Sequence, residues 1–254
     1  MDFSFGIITN ETSCDLLDII IDSIELQYIP NYEIIIIGNV NIKRKNTIVI
    51  PFDESIYPCW ITKKKNIITQ HAKYENIVYM HDYVKLEDDW YNGFLLYGNN
   101  FDIISNKILN MYNRRFRDLL LNRNFLEGKK LLNGQRTHVI INGLDEWIQT
   151  TDNILLYEPN GNEILLDYTI DLKIFQPYIY ISGTYWVAKK HVMTEFPLNE
   201  NLLHGQGEDV DWTQMVREKY IFKFNVNSTC GLLRDKEMSI PLLFTDSHIN
   251  YLRI

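Results

Sequence analysis

The chain has 254 residues, 46% hydrophobic and 23% charged, with a formal net charge of −8. That length suits one large α/β domain or two small ones, and the composition is that of a folded protein with a real core. The acidic balance argues against broad nucleic-acid binding, which needs a basic face, and no apolar run or N-terminal pattern reads as a membrane span or a leader. The three cysteines, Cys14, Cys59 and Cys230, are far apart and share no metal-ligand spacing. They suit a reducing compartment. The expectation is a soluble cytoplasmic protein, with peripheral membrane contact left open.

Phe3–Ile8 alternates and then runs apolar, so it reads as a first strand ended by Thr9 and Asn10. Thr12 and Asp15 form a capping pattern, and Leu16, Leu17, Ile20, Ile21 and Ile24 repeat at helical spacing, which predicts a helix over 13–27. Pro30 and Asn31 break the chain before a second strand over 33–37, ended by Gly38 and Asn39, and a third at Thr47–Ile50. Strand, helix and strand in this order imply a right-handed parallel unit. A helix over 63–74 leads into a strand over 77–80, a short run of β-formers that stops at His81 and Asp82. A helix over 87–97, a strand and turn over 101–111 and a short helix over 114–122 follow. In 131–176, Gly, Asn and Asp recur among short apolar runs, which reads as a loop-rich insertion with room for a small sheet. A strand over 178–182, a helical turn over 189–195, a helix over 210–218 and a strand over 221–226 complete the assignable part. No repeat, low-complexity tract or linker interrupts the chain. It reads as a single domain, 1–254, whose two halves meet near residue 100.

Two stretches carry chemistry. His81 and Asp82 stand at the carboxyl end of a strand, where open α/β sheets bind ligands, and a His-Asp pair suits a divalent cation. As alternatives, Asp82 is a turn residue and His81 satisfies a backbone carbonyl. In Gly205-Gln206-Gly207-Glu208-Asp209-Val210-Asp211-Trp212, three carboxylates fall within four residues at a helix start. Crowding them costs Coulomb energy unless a cation, a proton or the helix dipole compensates. A base behind a glycine loop suits proton abstraction from a hydroxyl; the plainer role of Asp209 is a first-turn or capping acid. The run Lys63-Lys64-Lys65 ordinarily makes a solvated face. Trp186 and Trp212 either stack on sugar rings or pack in the core. His248 reads as a surface residue.

The order of these pieces resembles family 2 glycosyltransferases. The match is carried by the first strand ending in Thr9, the Ile-rich helix ending Ser23-Ile24-Glu25-Leu26-Gln27, and Tyr32-Glu33-Ile34-Ile35-Ile36-Ile37. It continues through the Lys65-Asn66 helix, His81-Asp82-Tyr83 at the place of the family's Asp-x-Asp, Ile181-Ser182-Gly183-Thr184-Tyr185-Trp186, and Gly207-Glu208-Asp209-Val210-Asp211-Trp212 at its acidic acceptor-side motif. The resemblance implies a GT-A fold: a mostly parallel central sheet flanked by helices, a nucleotide-binding half over about 1–100, and an acceptor-binding half over about 101–254 with a smaller sheet. It implies an inverting transfer of sugar from a nucleotide-diphosphate sugar, UDP favoured, to a hydroxyl of a glycan or other acceptor. Asp209 would be the base, with Glu208 holding the acceptor. Thr9, Asn39, Lys65, Asn66, His81 and Asp82 would line the donor site, and Gly183, Trp186, Asp211 and Trp212 the acceptor side. Mn²⁺ or Mg²⁺, held by Asp82 with His81, would stabilise the leaving diphosphate. The chain departs from the family at Tyr83, where the last metal Asp is usual, and at Gly38-Asn39, where an Asp that contacts the base is common.

Two rivals are weighed beside this reading. A nucleotidyltransferase calls for a Gly-rich loop after the first strand, and Ile8-Thr9-Asn10-Glu11 has none. A non-catalytic nucleotide- or sugar-binding module gains support from the altered His81-Asp82-Tyr83, but has no need of the Glu208-Asp209 pair.

Overall fold

A computed structural model describes residues 1–10, 15–122, 163–166, 168–169, 172–177, 179–236 and 243–244. In chain order, β1 (Phe3–Ile8), α1 (Asp15–Glu25), β2 (Tyr32–Ile37), β3 (Thr47–Ile50), α2 (Ile61–His71), β4 (Asn76–His81), β5 (Val84–Leu86), α3 (Trp90–Tyr97) and β6 (Ile103–Leu109) form the first part. β7 (Leu120–Asn122), β8 (Glu163–Leu166), α4 (Leu172–Phe175), β9 (Ile179–Tyr180), β10 (Tyr185–Lys189), α5 (Lys190–Glu195), α6 (Glu208–Val216), β11 (Phe222–Leu232) and β12 (Leu243–Phe244) follow.

β1 is buried along its whole length because it lies between β2 and β4, both parallel to it. The eight-stranded sheet runs β3-β2-β1-β4-β10-β6-β11-β5. β3, β2, β1 and β4 are parallel; β10 runs antiparallel to both β4 and β6, and β11 returns parallel to β6. The smaller sheet runs β12-β8-β7-β9. Period-two alternation divides the strand residues between two faces. Phe3, Phe5, Ile7, Ile34, Ile36, Val78 and Met80 pack with Leu17, Ile20, Ile21 and Ile24 of α1 and Trp90 and Phe94 of α3. Ile8, Ile35, Ile37, Ile77, Tyr79 and Trp186 face Ile61 and Ile68 of α2, Val192 and Met193 of α5, and Trp212 and Val216 of α6. α2 lies so close to β1 that a Cβ on Gly6 would fall 2.2 Å from Cγ2 of Ile68.

Several expectations are corrected. The short helix over 114–122 is absent: the chain turns at Asn110–Arg114, where the Asn110 side chain accepts the Tyr112 and Arg114 N–H groups, and Phe116 N–H returns to Ile108 O. Residues 120–122 are then strand. The lysine run is no solvated face, since Lys64 and Lys65 are buried and only Lys63 is partly exposed. The helix over 87–97 starts at Trp90, because the Glu87 N–H is taken by Thr229 O and β5 occupies the sheet edge before it. β11 continues to Leu232, past an irregularity between Asn225 and Thr229. Thr12, Cys14, His248 and most of the 131–176 insertion lie outside the described residues.

Candidate active site

The parallel register sets Ile8 beside His81, so β1 and β4 end together. Thr9 then donates its hydroxyl to Asp82 Oδ2 at 2.7 Å, with both residues buried. Lys64 closes this corner from α2, donating to Thr9 O at 2.7 Å and pairing with Glu54. The other Asp82 oxygen faces the Arg234 guanidinium at 3.7 Å. Arg234 and Lys236 both lie over the Tyr83 ring, Lys236 at 3.9 Å from its centre. The His81 imidazole lies beside Tyr83. Desolvation, reinforced by the charges of Lys65, Lys236 and His204, holds it well below its usual pKa, against an opposing backbone hydrogen bond at Gly183. It is therefore neutral near pH 7, the form that ligates metals.

The acidic motif reaches the same place from the other side. Gly205 and Gly207 adopt φ of 79° and 76°, the left-handed region that favours glycine, and so turn the chain into α6. Glu208, Asp209 and Asp211 fill its first turn. Asp209 does more than serve its own helix: its Oδ2 accepts the Gly183 N–H at 2.7 Å, from the turn just before β10. A Cβ on Gly183 would stand 3.2 Å from that Oδ2 and 3.4 Å from Glu208 Oε1. Lys65 lies beneath this turn, almost fully buried, donating to Gly183 O at 2.7 Å and resting 4.1 Å from the centre of the Trp186 ring. Burial pushes its pKa down to about 8, with Glu208 and Asp209 opposing. On the smaller sheet, burial raises the Tyr180 phenol far above its usual value; Arg117 opposes the shift and Asp209 adds to it.

The fold thus gathers Thr9, Asp82, His81, Lys65, Gly183, Glu208 and Asp209 into one region where the strand end meets the start of α6. Other candidates are engaged differently. The Asn39 amide closes on both backbone groups of Phe52. Asn66 ties α2 to Leu198 and Glu200. Asp211 is partly exposed on α6. Trp186 and Trp212 are core residues: each is 1% exposed, Trp186 stacks on Tyr79, and Trp212 donates to Phe196 O. Neither indole presents a face to a solvent-borne sugar, so packing accounts for both. Arg234, Lys236, Arg117 and Tyr180 were not legible as site residues. The basic pair follows a strand whose Asn225-Val226-Asn227-Ser228 stretch reads as its end.

Among the described residues no group of three His, Cys, Asp or Glu side chains is placed to hold a metal. Carboxylate oxygen and neutral imidazole are donor types that suit Mg²⁺ or Mn²⁺, and Asp82 and His81 are the adjacent residues at the end of β4 that carry them. No helix among the described residues is long and apolar enough to cross a membrane.

This architecture is the GT-A fold of glycosyltransferases. Three solved structures illustrate the likeness. S. aureus TarS 1-349 in complex with UDP aligns with a TM-score of 0.50 at 12% identity, over 96% of this chain and 60% of that one. S. aureus TarS gives 0.51 at 13%, over 98% and 37%. GalNAc-T7 with UDP, GalNAc and Mn²⁺ gives 0.54 at 10%, over 93% and 44%. The chain thus spans about 60% of TarS 1-349. No protein-family profile and no curated protein matches the sequence.

Proposed function

We propose that the protein is an inverting glycosyltransferase that moves a sugar from a nucleotide-diphosphate sugar, UDP favoured, to a hydroxyl of a glycan or other acceptor. The observation that carries this reading is the convergence of Glu208 and Asp209 on the turn beside the end of β4. A hydroxyl bound there meets a carboxylate fixed by the Gly183 N–H, a geometry for general-base work. In the reaction, the acceptor oxygen attacks the anomeric carbon, the bond to the diphosphate oxygen breaks, and the hydroxyl proton passes to Asp209. Glu208 orients the acceptor. Thr9, His81 and Asp82 border the donor side, where Arg234 and Lys236 add positive charge that suits a diphosphate. The UDP bound to TarS, and the UDP, GalNAc and Mn²⁺ bound to GalNAc-T7, support a nucleotide-sugar donor for this fold. A divalent cation, when bound, would be held by Asp82 and His81 and would supply Lewis-acid stabilisation to the leaving diphosphate.

A thermal-shift panel of nucleoside diphosphates and nucleotide-sugars, each with and without Mn²⁺, tests the donor assignment. A ligand selective for the folded state raises its melting temperature by mass action. UDP or a UDP-sugar is expected to give the largest rise. No rise with any nucleotide speaks against the reading.

A further inference from the structure

We propose that Lys65 is a positioning residue for the Glu208-Asp209 pair, which it serves through the Gly183 turn rather than by gripping the donor. This rests on the transferase reading above. A lysine in the donor pocket should aim its ammonium at open space near the ends of β1 and β4. Lys65 instead spends its charge inside the protein. It is 1% exposed, its Nζ donates to Gly183 O at 2.7 Å, and the Trp186 ring covers it at 4.1 Å. Gly183 passes the constraint on, because its own N–H donates to Asp209 Oδ2 at 2.7 Å. The turn is held on both sides by charge-assisted hydrogen bonds, the stronger kind. It fits closely against both acids, as the contacts of a Cβ at Gly183 show.

Electrostatics gives the placement a reason. Glu208 and Asp209 stand side by side in the first turn of α6, and like charges held close cost Coulomb energy. A desolvated ammonium costs free energy unless anions compensate it. The anions whose charge favours the Lys65 ammonium are Glu208 and Asp209. Among the described residues the Lys65 charge also bears on His81, where it adds to the desolvation that chiefly disfavours the imidazolium. The buried lysine thus offsets the crowding in the acidic motif while fixing the loop that orients it.

Lys65→Met keeps much of the side chain's length and apolar stem and removes the charge. With the UDP-sugar that the wild type turns over fastest, kcat is expected to fall about 10- to 100-fold, part of the roughly 10²- to 10⁴-fold that positioned proton transfer supplies. The donor KM should stay within about twofold. Combined with Asp209→Asn, Lys65→Met should cause no further loss, since residues that act through one another are non-additive. If Lys65→Met does not fold, Gly183→Ala probes the same link: its Cβ presses on Asp209, so it should lower kcat at unchanged donor KM, again with no added loss in the Asp209→Asn background. A raised donor KM at unchanged kcat, or losses that add to that of Asp209→Asn, would overturn the proposal and return Lys65 to the donor pocket. An inactive wild type is a different outcome: it defeats the transferase reading itself.

Discussion

Asp209→Asn is expected to reduce transfer to a small residual rate while leaving donor binding nearly intact. The amide keeps the size of the carboxylate, and its oxygen can still accept the Gly183 N–H that now meets Oδ2 at 2.7 Å. What it loses is the capacity to take a proton. The expected fall in kcat is about 10²- to 10⁴-fold, the range of positioned proton transfer. Steady-state kinetics gives kcat, and a nucleotide-induced melting shift reports donor binding separately. A lost melting shift would place Asp209 on the donor side and remove it as base. Glu208 has the same chemistry, but its role as acceptor holder predicts a different signature: a higher acceptor KM with a smaller effect on kcat.

Asp82→Ala is expected to remove the metal-dependent part of nucleotide binding. Asp82 is the carboxylate that follows β4 directly, and its two oxygens meet the Thr9 hydroxyl and the Arg234 guanidinium. The wild type should show a larger UDP-induced melting shift in Mn²⁺ than in EDTA, and Asp82→Ala should show no difference between the two. The variant should also be less stable by about 1–3 kcal/mol, because the buried Thr9–Asp82 hydrogen bond at 2.7 Å is lost. Undiminished wild-type turnover in EDTA would count against a metal role and leave Arg234 and Lys236 as the cations beside the diphosphate.

Much of the fold was legible because its first half obeys simple periodicities. β1, β2, β3 and β4 read from their apolar runs, and α1 from its Leu and Ile spacing, since each sits in a sheet or on one face of it. Local pattern failed where long-range pairing decides the structure. β5 has only three residues and exists because β11 pairs with it. The strand expected over 178–182 stops short of β10 and the helical turn expected over 189–195 starts at its end, yet the five residues of β10 are buried between β4 and β6. Residues 114–122 have a helical look, but the Asn110 side chain turns the chain back and Asp118 is drawn into hydrogen bonds with Arg115, Tyr168 and Leu119.

The site was legible in its acids and less so in its cations. Asp82, Glu208 and Asp209 announced themselves by crowding or by interrupting a strand. Their proximity depends on the antiparallel β10, which carries Gly183 alongside β4. Lys65 was picked for the donor pocket, whereas its contacts run to Gly183 and Trp186, beside the acids. Trp186 and Trp212 were candidates for sugar stacking because a sequence does not show which side of a ring is covered, and both are covered.

The most direct test of the central claim is the fate of a UDP-sugar panel incubated with the protein and followed by proton NMR. Transferases of this kind leak donor to water, which takes the place of the acceptor hydroxyl. The reading predicts slow release of UDP from one sugar donor, first appearance of the free sugar with the anomeric configuration opposite to the donor's, and loss of both signals in Asp209→Asn. A sugar released with its configuration retained, or a UDP-sugar that raises the melting temperature yet is never cleaved with or without an acceptor, would contradict it.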